Sequence, residues 1–460
     1  MQKFFELDRI DATKRSGGER IKDFNEIYEI FPVNKAGEQS DRCIQCGDPY
    51  CHNKCPLHNL IPQWLKSTAG KDLELAFALS NEPSPFPEVL GKICPHDRLC
   101  EGDCTLNDGH GAITIGSVET FITEEGFKQG LKPKFSDEMT DKTVAIVGAG
   151  PAGLSAATFL LREGINVEIF DKQVKAGGLL TYGIPGFKLE KSVVERRVDL
   201  LKEAGAVFNQ ECEVGKDVGF DELTSGFDAV FIGVGATQGR VSTISGSDAK
   251  ESYLAMEFLT NVQKKLFGEA YDDSINVRDK KVVVIGGGDT AMDCVRTSLR
   301  EKARSVECLY RRDADNMPGS KKEYINAREE GVDFEFYASP KAVALDSNGN
   351  VIGIDMIKTE LGEPDESGRQ RVQEVEGTEF RVDADVVIFA LGFDTVKFPF
   401  LADNGIELDK WNGIMVNDNY ETSKEGVYAG GDCHRGADLV VTAALDGREA
   451  AKAIVKKLLG

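Results

Sequence analysis

The chain has 460 residues, 41% of them hydrophobic and 29% charged, with a formal net charge of -22. This length predicts two or three domains, and the charge disfavours nucleic acids and anionic membranes as partners, because both are themselves negative. No apolar run approaches the roughly 18 residues that cross a bilayer, and residues 1–10 lack a signal-peptide pattern. We therefore expect a cytoplasmic protein.

Residues 1–140 form the first predicted domain, a small helical head rich in cysteine. Seven of the eleven cysteines lie there in two runs, Cys43, Cys46, Cys51 and Cys55, then Cys94, Cys100 and Cys104. Closely spaced thiolates let one loop wrap a 4Fe-4S cluster, but two clusters take eight ligands, one more than these cysteines supply. Structural zinc would use four and leave three over, and disulfides are disfavoured in a reducing compartment.

The second predicted domain begins with an apolar strand, a glycine turn and a helix start. Gly148 is expected to make the turn, Gly150 to let the backbone approach a pyrophosphate, and Gly153 to allow close helix packing. Asp171 follows the next strand, about 20 residues on, where a carboxylate accepts from ribose hydroxyls. The residues predicted to bind FAD are Gly148, Gly150, Pro151, Ala152, Gly153, Asp171, Gly178, Leu179, Gly431 and Asp432.

A second dinucleotide fingerprint follows the predicted strand at residues 281–285. It comprises Gly286, Gly288, Asp289, Thr290 and Ala291, with alanine in place of the third glycine. After the next strand, Arg311 and Arg312 stand where an NAD site would carry an acidic residue. Guanidinium groups suit a 2'-phosphate, so NADPH is favoured. The alternative is that both arginines are solvated surface charges.

Residues 427–432 (VYAGGD) look like a return to the first unit, so the second unit is predicted to be inserted into the first. The expected class is α/β, with two nested Rossmann-like dinucleotide-binding domains preceded by a helical Fe-S domain. The predicted boundaries are 1–140 for the head, 141–247 and 389–460 for the FAD-binding domain, and 248–388 for the NADPH-binding domain. Residues 243–249 and 390–395 are the expected crossings, and the acidic residues 360–370 an exposed hairpin tip.

Electrons are expected to leave the flavin through the head. Neither nucleotide unit contains a Cys-x-x-Cys pair, and we interpret the scattered Cys212, Cys294, Cys308 and Cys433 as ordinary buried thiols. A flavin accepts a two-electron hydride and releases single electrons, which clusters carry. Hydride passes directly from NADPH to FAD, so no catalytic side chain is predicted. Asp432 is expected at the ribityl chain, with the helix at 438–457 near the flavin ring.

Several ordered stretches resemble the small subunit of NADPH-dependent glutamate synthase. They are residues 41–51 (DRCIQCGDPYC), 94–108 (CPHDRLCEGDCTLND), 177–185 (GGLLTYGIP), 286–296 (GGGDTAMDCVR) and 310–313 (YRRD). The resemblance runs from about residue 20 to the C-terminus and implies two 4Fe-4S clusters in the head.

The resemblance also implies the missing ligand. Residues 114–119 (TIGSVE) are similar to a stretch that supplies an oxygen ligand in this family and in the related head of dihydropyrimidine dehydrogenase, which implicates Glu119. One cluster would take Cys43, Cys46, Cys51 and Cys104, and the other Cys55, Cys94, Cys100 and Glu119. Without the resemblance, Glu119 would be interpreted as an exposed helix carboxylate.

The family forms two glutamates from glutamine, 2-oxoglutarate and NADPH, and this chain can hold only the NADPH end. Residue 2 is glutamine, not the nucleophilic cysteine of an amidotransferase, and no segment remains for a synthase barrel. The resemblance therefore implies a hetero-oligomer with a large subunit that contains FMN and Fe-S. Cys433 and His434 depart from the aliphatic residues expected in close relatives.

Two other functions stay open at this point. The same electron-transfer module could serve another partner, as a transhydrogenase or another NADPH–acceptor reductase. A non-catalytic scaffold whose head binds zinc would show neither a flavin band nor a brown colour.

Overall fold

The computed structural model describes residues 2–364 and 370–460. These residues form a helical head, a five-stranded parallel sheet, and a second five-stranded parallel sheet with an antiparallel extension. The first sheet combines strands from both ends of the nucleotide-binding region, whereas the second uses only its middle. The predicted fold class is confirmed. In these two ranges, no helix has both the length and the apolar character needed to cross a bilayer.

Short helices build the head. They are α1 (Gly17–Arg20), α2 (Val33–Asp41), α3 (Tyr50–Lys54), α4 (Ile61–Ala69), α5 (Leu73–Asn81), α6 (Pro87–Ile93), α7 (Asn107–His110) and α8 (Ile115–Lys128), with 3-10 turns at Lys3–Phe5 and His96–Arg98. Helices of this length depend on tertiary packing more than on propensity. Their apolar faces meet in a core around Trp64, Phe77 and Ile122.

The first parallel sheet begins directly after the head. Its elements are β1 (Thr143–Val147), α9 (Pro151–Arg162), β2 (Asn166–Phe170), α10 (Leu179–Tyr182), α11 (Lys191–Glu203), β3 (Val207–Asn209), α12 (Phe220–Gly226) and β4 (Ala229–Ile232), followed by the short β5 (Gln238–Gly239). The strands β1 and β4 are almost entirely apolar and buried. Such runs are typical of parallel strands that helices cover on both faces.

The inserted unit follows. Its elements are β6 (Ser252–Leu254), α13 (Ala255–Phe267), β7 (Lys281–Ile285), α14 (Asp289–Arg300), β8 (Ser305–Tyr310), α15 (Lys321–Glu329), β9 (Asp333–Phe336), β10 (Ala338–Leu345), β11 (Val351–Pro364), β12 (Gln370–Glu374), β13 (Phe380–Asp383) and β14 (Val386–Phe389). The parallel order is β6-β14-β7-β8-β9, and β11 pairs antiparallel with β10, β12 and β13. The predicted hairpin tip falls largely on residues 365–369, outside the described residues.

The chain then returns to the first sheet through β15 (Phe393–Asp394), α16 (Pro399–Asp403), β16 (Val427–Ala429), α17 (Asp432–Arg435) and α18 (Val440–Leu459). The completed sheet has the order β16-β4-β1-β2-β3. Both crossings run through one antiparallel ribbon, in which β5 pairs with β15. The outgoing crossing therefore begins before the expected residues 243–249, and the last strand of the insert ends at Phe389, one residue past the expected boundary.

Helices α9 and α18 approach each other closely at Gly447. A Cβ at Gly447 would stand 2.1 Å from the carbonyl oxygen of Ala152, and the hydroxyl of Ser155 donates a 2.6 Å hydrogen bond to the carbonyl of Ala444. Glycine permits this approach because it has no side chain. The contact fixes the returning C-terminal helix against the helix that follows the first fingerprint.

Buried polar contacts join the head to the first sheet's domain. Arg197 of α11 donates bonds of 2.7 and 2.6 Å to Glu88 of α6, and both side chains are buried. Arg448 of α18 donates to the carbonyls of Leu57 and Pro83 in the head. A buried guanidinium needs such partners to offset its desolvation. The head therefore sits directly on α11 and α18.

Candidate functional site

A cavity of about 780 Å³ is lined by both nucleotide units and by the head. Of the predicted nucleotide-binding residues, its wall includes Gly148, Gly150, Pro151, Ala152, Asp171, Gly178, Leu179, Asp289, Thr290 and Asp432. The head contributes Ile93, Cys94 and Pro95 to the same wall. Ligands at the two fingerprints would therefore share one space with a cysteine of the head.

The first fingerprint brings several backbone segments close together. Gly148 has a φ of 103°, and a Cβ at Gly153 would stand 1.9 Å from the carbonyl oxygen of Gly148. A Cβ at Gly178 would stand 2.8 Å from the Cα of Gly150. Helix α9 starts immediately afterwards, at Pro151, and its free N–H groups favour an anion. Bare backbone and a helix N-terminus thus form a cradle that fits a pyrophosphate.

Asp171 holds the fingerprint turn through its carboxylate. It accepts a 2.7 Å hydrogen bond from the amide of Ala149 and a 2.8 Å bond from the amide of Gln173. Burial raises the pKa of Asp171 above its usual value. The carboxylate lines the cavity, and its contact with a ribose stays a prediction.

Asp432 begins the short helix α17, directly after Gly431, which has a φ of 76°. Its Oδ1 atom is buried and accepts no hydrogen bond within the described residues. Burial raises the pKa of Asp432 to about 7. An unpaired buried oxygen costs roughly 1–3 kcal/mol. Because Asp432 belongs to the cavity wall, its unpaired oxygen fits a ligand that donates to it, as a ribityl hydroxyl would.

The second fingerprint places the start of α14 at the cavity. Asp289 accepts a 2.9 Å bond from the amide of Ser320 and a 3.3 Å bond from Arg98 of the head. Thr290 follows it in the wall. Gly286, Gly288 and Ala291 support the turn without lining the cavity; a Cβ at Gly286 would stand 2.5 Å from the carbonyl oxygen of Ala390. The helix start favours a phosphate group.

The two arginines after β8 differ in their surroundings, and neither lines the cavity. Arg311 is exposed. Arg312 is half-buried and donates a 3.2 Å bond to the carbonyl of Gln370. Of these two arginines, Arg311 is therefore the one whose guanidinium has no backbone partner among the described residues.

The structure brings four cysteines of the head together. Cys43, Cys46, Cys51 and Cys104 line one small cavity. The side-chain amide of Gln45 donates a 3.2 Å bond to the sulfur of Cys43. Burial raises the pKa of the Cys51 thiol to about 12. Four thiols around one apolar space fit the ligands of an iron-sulfur cluster.

A second group comprises three cysteines and one carboxylate. Burial raises the pKa of the thiols of Cys55, Cys94 and Cys100, and the nearby charge of Glu119 raises them further. Glu119 is 5% exposed, so its interpretation as an exposed helix carboxylate is wrong. Burial raises its own pKa to about 8. Across residues 2–364 and 370–460, no three His, Cys, Asp or Glu side chains are arranged to hold a single metal ion.

The two groups lie at different depths. Cys94 of the second group lines the large cavity, beside the nucleotide-binding turns. The first group is bordered by Tyr50, which is 53% exposed. The second group is therefore the nearer to the cavity, and the first the nearer to the surface.

Two family descriptions match the chain. Residues 20–131 match dihydropyrimidine dehydrogenase domain II, 4Fe-4S cluster, and residues 142–447 match pyridine nucleotide-disulphide oxidoreductase. The glutamate synthase (NADPH) small chain of Escherichia coli is 48% identical over 99% of this chain and 98% of its own. The chain belongs to the family of glutamate synthase (NADPH) small chains. The family and the oxidoreductase class predicted from the sequence are both confirmed.

A second relative of this chain is longer. This relative is AegA of Escherichia coli, which is named only as an oxidoreductase. AegA is 47% identical to this chain, and the match covers 98% of this chain but 69% of AegA. Among solved structures, Mycobacterium tuberculosis FprA in complex with NADPH has a TM-score of 0.59 and 21% identity, covering 69% of this chain and 85% of FprA. That likeness shows the fold of the nucleotide-binding part.

Several contacts in this small chain were not predicted from the sequence. Asn59 donates a 2.6 Å bond to Glu119 and accepts a 3.1 Å bond from Trp64. Lys188 reaches from the first nucleotide unit into the inserted one. The quoted stretch 94–108 contains Arg98, which contacts the second fingerprint, but nothing in that stretch signals the contact.

Proposed function

We propose that this chain oxidises NADPH through bound FAD and passes the electrons one at a time through two 4Fe-4S clusters to a large glutamate synthase subunit. The observation that carries the proposal is the cavity wall shared by Gly150, Asp432 and Cys94. Bound there, FAD would accept the hydride of NADPH and supply single electrons to the clusters. The relatives named as glutamate synthase small chains support the same role.

The FAD site is assigned to the first fingerprint and the return segment. The turn at Gly148 and Gly150 and the start of α9 would hold the pyrophosphate, and Asp171 a ribose. The unpaired oxygen of Asp432 would accept from the ribityl chain. Pro151, Ala152, Gly153, Gly178, Leu179 and Gly431 would shape the surrounding backbone.

The NADPH site is assigned to the second fingerprint, with its pyrophosphate at the start of α14. Gly286, Gly288, Asp289, Thr290 and Ala291 form that turn. Of the two arginines after β8, we assign the 2'-phosphate to Arg311, because the Arg312 side chain already bonds the carbonyl of Gln370. The sequence predicted that both arginines bind the 2'-phosphate, whereas this assignment gives that role to Arg311 alone.

The clusters are assigned to the two groups in the head. The first would take Cys43, Cys46, Cys51 and Cys104, and the second Cys55, Cys94, Cys100 and Glu119. Because Cys94 lines the cavity and Tyr50 is exposed beside the first group, electrons would pass from the second cluster to the first and then leave the chain.

The partner is assigned as a large subunit that contains FMN and Fe-S and hydrolyses glutamine. The electron exit beside Tyr50 would face this subunit, so the working enzyme is a hetero-oligomer. The proposed compartment is the cytoplasm, where cysteine thiols stay reduced.

The test is an anaerobic titration of the isolated protein with NADPH, followed by optical and EPR spectra. The proposal expects two four-iron clusters per chain and flavin bleaching by NADPH. With a candidate large subunit, glutamine and 2-oxoglutarate, it expects glutamate to form only when both proteins are present. A chain that lacks flavin, or that NADPH does not reduce, would overturn it.

A second candidate is the same module serving a different acceptor. The specific observation in its favour is that AegA, not named as a glutamate synthase chain, is 47% identical to this chain. This candidate predicts the same flavin bleaching but no glutamate with any large subunit. The paired assay therefore separates the two.

A further inference from the structure

The loop between α10 and α11 contacts both the cavity and the inserted unit. Gly183, Ile184 and Lys188 of this loop line the cavity. The ammonium of Lys188 lies 2.9 Å from Oδ1 of Asp293 on α14 and 4.0 Å from Oε2 of Glu323 on α15. One side chain of the first nucleotide unit thus contacts both helices that lie beside the second fingerprint.

The contact continues as a chain of buried ion pairs. Arg296 lies 2.5 Å from Glu323 and 2.8 Å from Glu330, and Arg300 lies 2.7 Å from Glu330. Arg20 of the head lies 3.0 Å from Glu330. We name this group the ionic cluster; its members are Arg20, Lys188, Asp293, Arg296, Arg300, Glu323 and Glu330.

The N-terminal segment packs against the end of α15, and an aromatic ring of the first unit packs against the ionic cluster. A Cβ at Gly17 would stand 2.1 Å from the carbonyl oxygen of Glu329, at the end of α15. The ring of Phe187, next to Lys188 in the chain, lies 4.3 Å from the guanidinium of Arg296 and 3.9 Å from that of Arg300. Head, first unit and insert therefore meet at one point.

Ion pairs of this kind restrict geometry. Burial would raise the pKa of Glu323, but Arg296 and Lys188 lower it to about 2, so the carboxylate stays charged. A buried charge without its partner is strongly unfavourable, so the arrangement tolerates little displacement of one partner from another. An orientation of α14 and α15 that separates Lys188 from Asp293, or Arg20 from Glu330, is disfavoured.

We propose that Lys188 and Arg20 are positioning residues, which hold the NADPH-binding unit against the flavin cavity and the head in the orientation required for hydride transfer. The inference rests on the proposed function, in which the nicotinamide and the flavin meet in that cavity. Both residues act through Asp293, Glu323 and Glu330 on α14 and α15. Arg20 is informative because it does not line the cavity.

The test compares Arg20→Met and Lys188→Met with two controls. Lys22→Met removes an exposed pair with Glu19 in the same segment, and Lys175→Met a partly exposed pair with Glu195 in the same unit. Each holoprotein is assayed for FAD and iron content, for the dissociation constant of NADP⁺, and for flavin bleaching at saturating NADPH by stopped flow. Hydrogen exchange of α14 and α15 is measured in parallel.

The expected result is a bleaching rate about 10- to 100-fold lower in both variants, because small misplacement of reacting groups has effects of that size. FAD, iron and the NADP⁺ dissociation constant stay unchanged, exchange in α14 and α15 accelerates, and both controls behave as wild type. Lys188→Arg and Arg20→Lys restore most of the rate. The double variant is no slower than the slower single one, because both changes release the same helices.

Wild-type bleaching and exchange in both variants would overturn the inference, as would a slow Lys188→Met combined with a normal Arg20→Met. The latter would mean that Lys188 acts directly on a ligand. Failure of the proposed function would instead appear in the wild-type protein, as flavin that NADPH does not bleach. Hydrogen exchange would then decide the inference alone: equal exchange in variants and controls overturns it.

Discussion

The side-chain amide of Asn59 donates a 2.6 Å hydrogen bond to the buried carboxylate of Glu119. Trp64, fully buried in the head core, fixes Asn59 from its other side with a 3.1 Å bond. The bond from Asn59 orients Glu119 beside Cys55, Cys94 and Cys100, whose thiol pKa values are raised by burial and also by the charge of Glu119. An oriented oxygen donor among thiols would fit the fourth ligand position of the proposed second cluster.

Replacing Glu119 by alanine is expected to lower the iron content or shift the EPR signal of one proposed cluster, while FAD stays bound at the first fingerprint. Asn59→Ala should act in the same direction through the orientation of the ligand, where losses of about 10- to 100-fold in metal affinity are usual. The control is Glu125→Ala on the same helix, which removes only bonds to Lys128 and Gln129. Unchanged iron and spectra in Glu119→Ala would remove Glu119 from the ligand set.

Asp432→Asn is expected to separate stability from cofactor binding. The pKa of Asp432 in the folded chain is about 7, raised by burial from 3.8, so folding favours the protonated form. Ionisation of Asp432 therefore lowers the free energy of unfolding. This loss is absent below pH 3.8, grows as the pH rises, and is complete above about pH 7, where it amounts to at most about 4 kcal/mol. Because Asp432 is assigned to the ribityl chain, the variant should lose FAD. Without FAD, the variant should be more stable than the wild type at pH 8, and the two should differ little at pH 4. Urea unfolding of the FAD-free proteins checks this, and an equal difference at both pH values would contradict it.

The elements that the sequence predicts well are those with local signals. The strands at Thr143–Val147 and Ser305–Tyr310 follow from short apolar runs that end at glycine turns or charged residues. The long helix expected at 438–457 is observed as Val440–Leu459, shifted by two residues. Boundaries move in this way because helix ends depend on tertiary contacts as well as on local sequence.

The contacts that the sequence does not predict are long-range. Asn59 and Glu119 are 60 positions apart, and Lys188 meets Asp293 only because the insert folds back onto the first unit. Single polar residues carry no periodic signal that would reveal such partners. The grouping of the cysteines was predictable because their spacing is itself a motif, whereas the burial of Glu119 depends on how α8 packs.

Arg311→Ala is expected to raise the Michaelis constant for NADPH by about 10- to 100-fold, which corresponds to one lost charge-assisted contact with the 2'-phosphate. NADH lacks that phosphate, so its constant should stay unchanged. Arg312→Ala should have a smaller effect on NADPH, because its guanidinium bonds the carbonyl of Gln370. Steady-state kinetics with both nucleotides and an artificial acceptor provide the measurement. Equal effects of Arg311→Ala on NADPH and NADH would contradict the assignment.

The last prediction concerns the attachment of the head. Glu88 lies on α6, which ends next to Cys94, the cysteine in the cavity wall, and Arg197 holds that helix from the first nucleotide unit. Arg197→Met leaves the buried Glu88 without its ionic partner, so the free energy of unfolding should fall by about 3–5 kcal/mol. Urea unfolding followed by tryptophan fluorescence reports on the head, because Trp64 is buried in its core.

The matched control is Lys132→Met, which removes an exposed pair with Glu203, also on α11. Such pairs are worth about 0–1 kcal/mol, so the control should unfold like the wild type. The double variant Arg197→Met/Glu88→Leu should recover most of the stability, because it leaves no unpaired charge buried. In Arg197→Met, NADPH should still bleach the flavin while the cluster signals in EPR develop more slowly, since α6 no longer holds Cys94 at the cavity. Equal rates for the cluster signals in wild type and variant would mean that the pair stabilises the fold without setting the electron path.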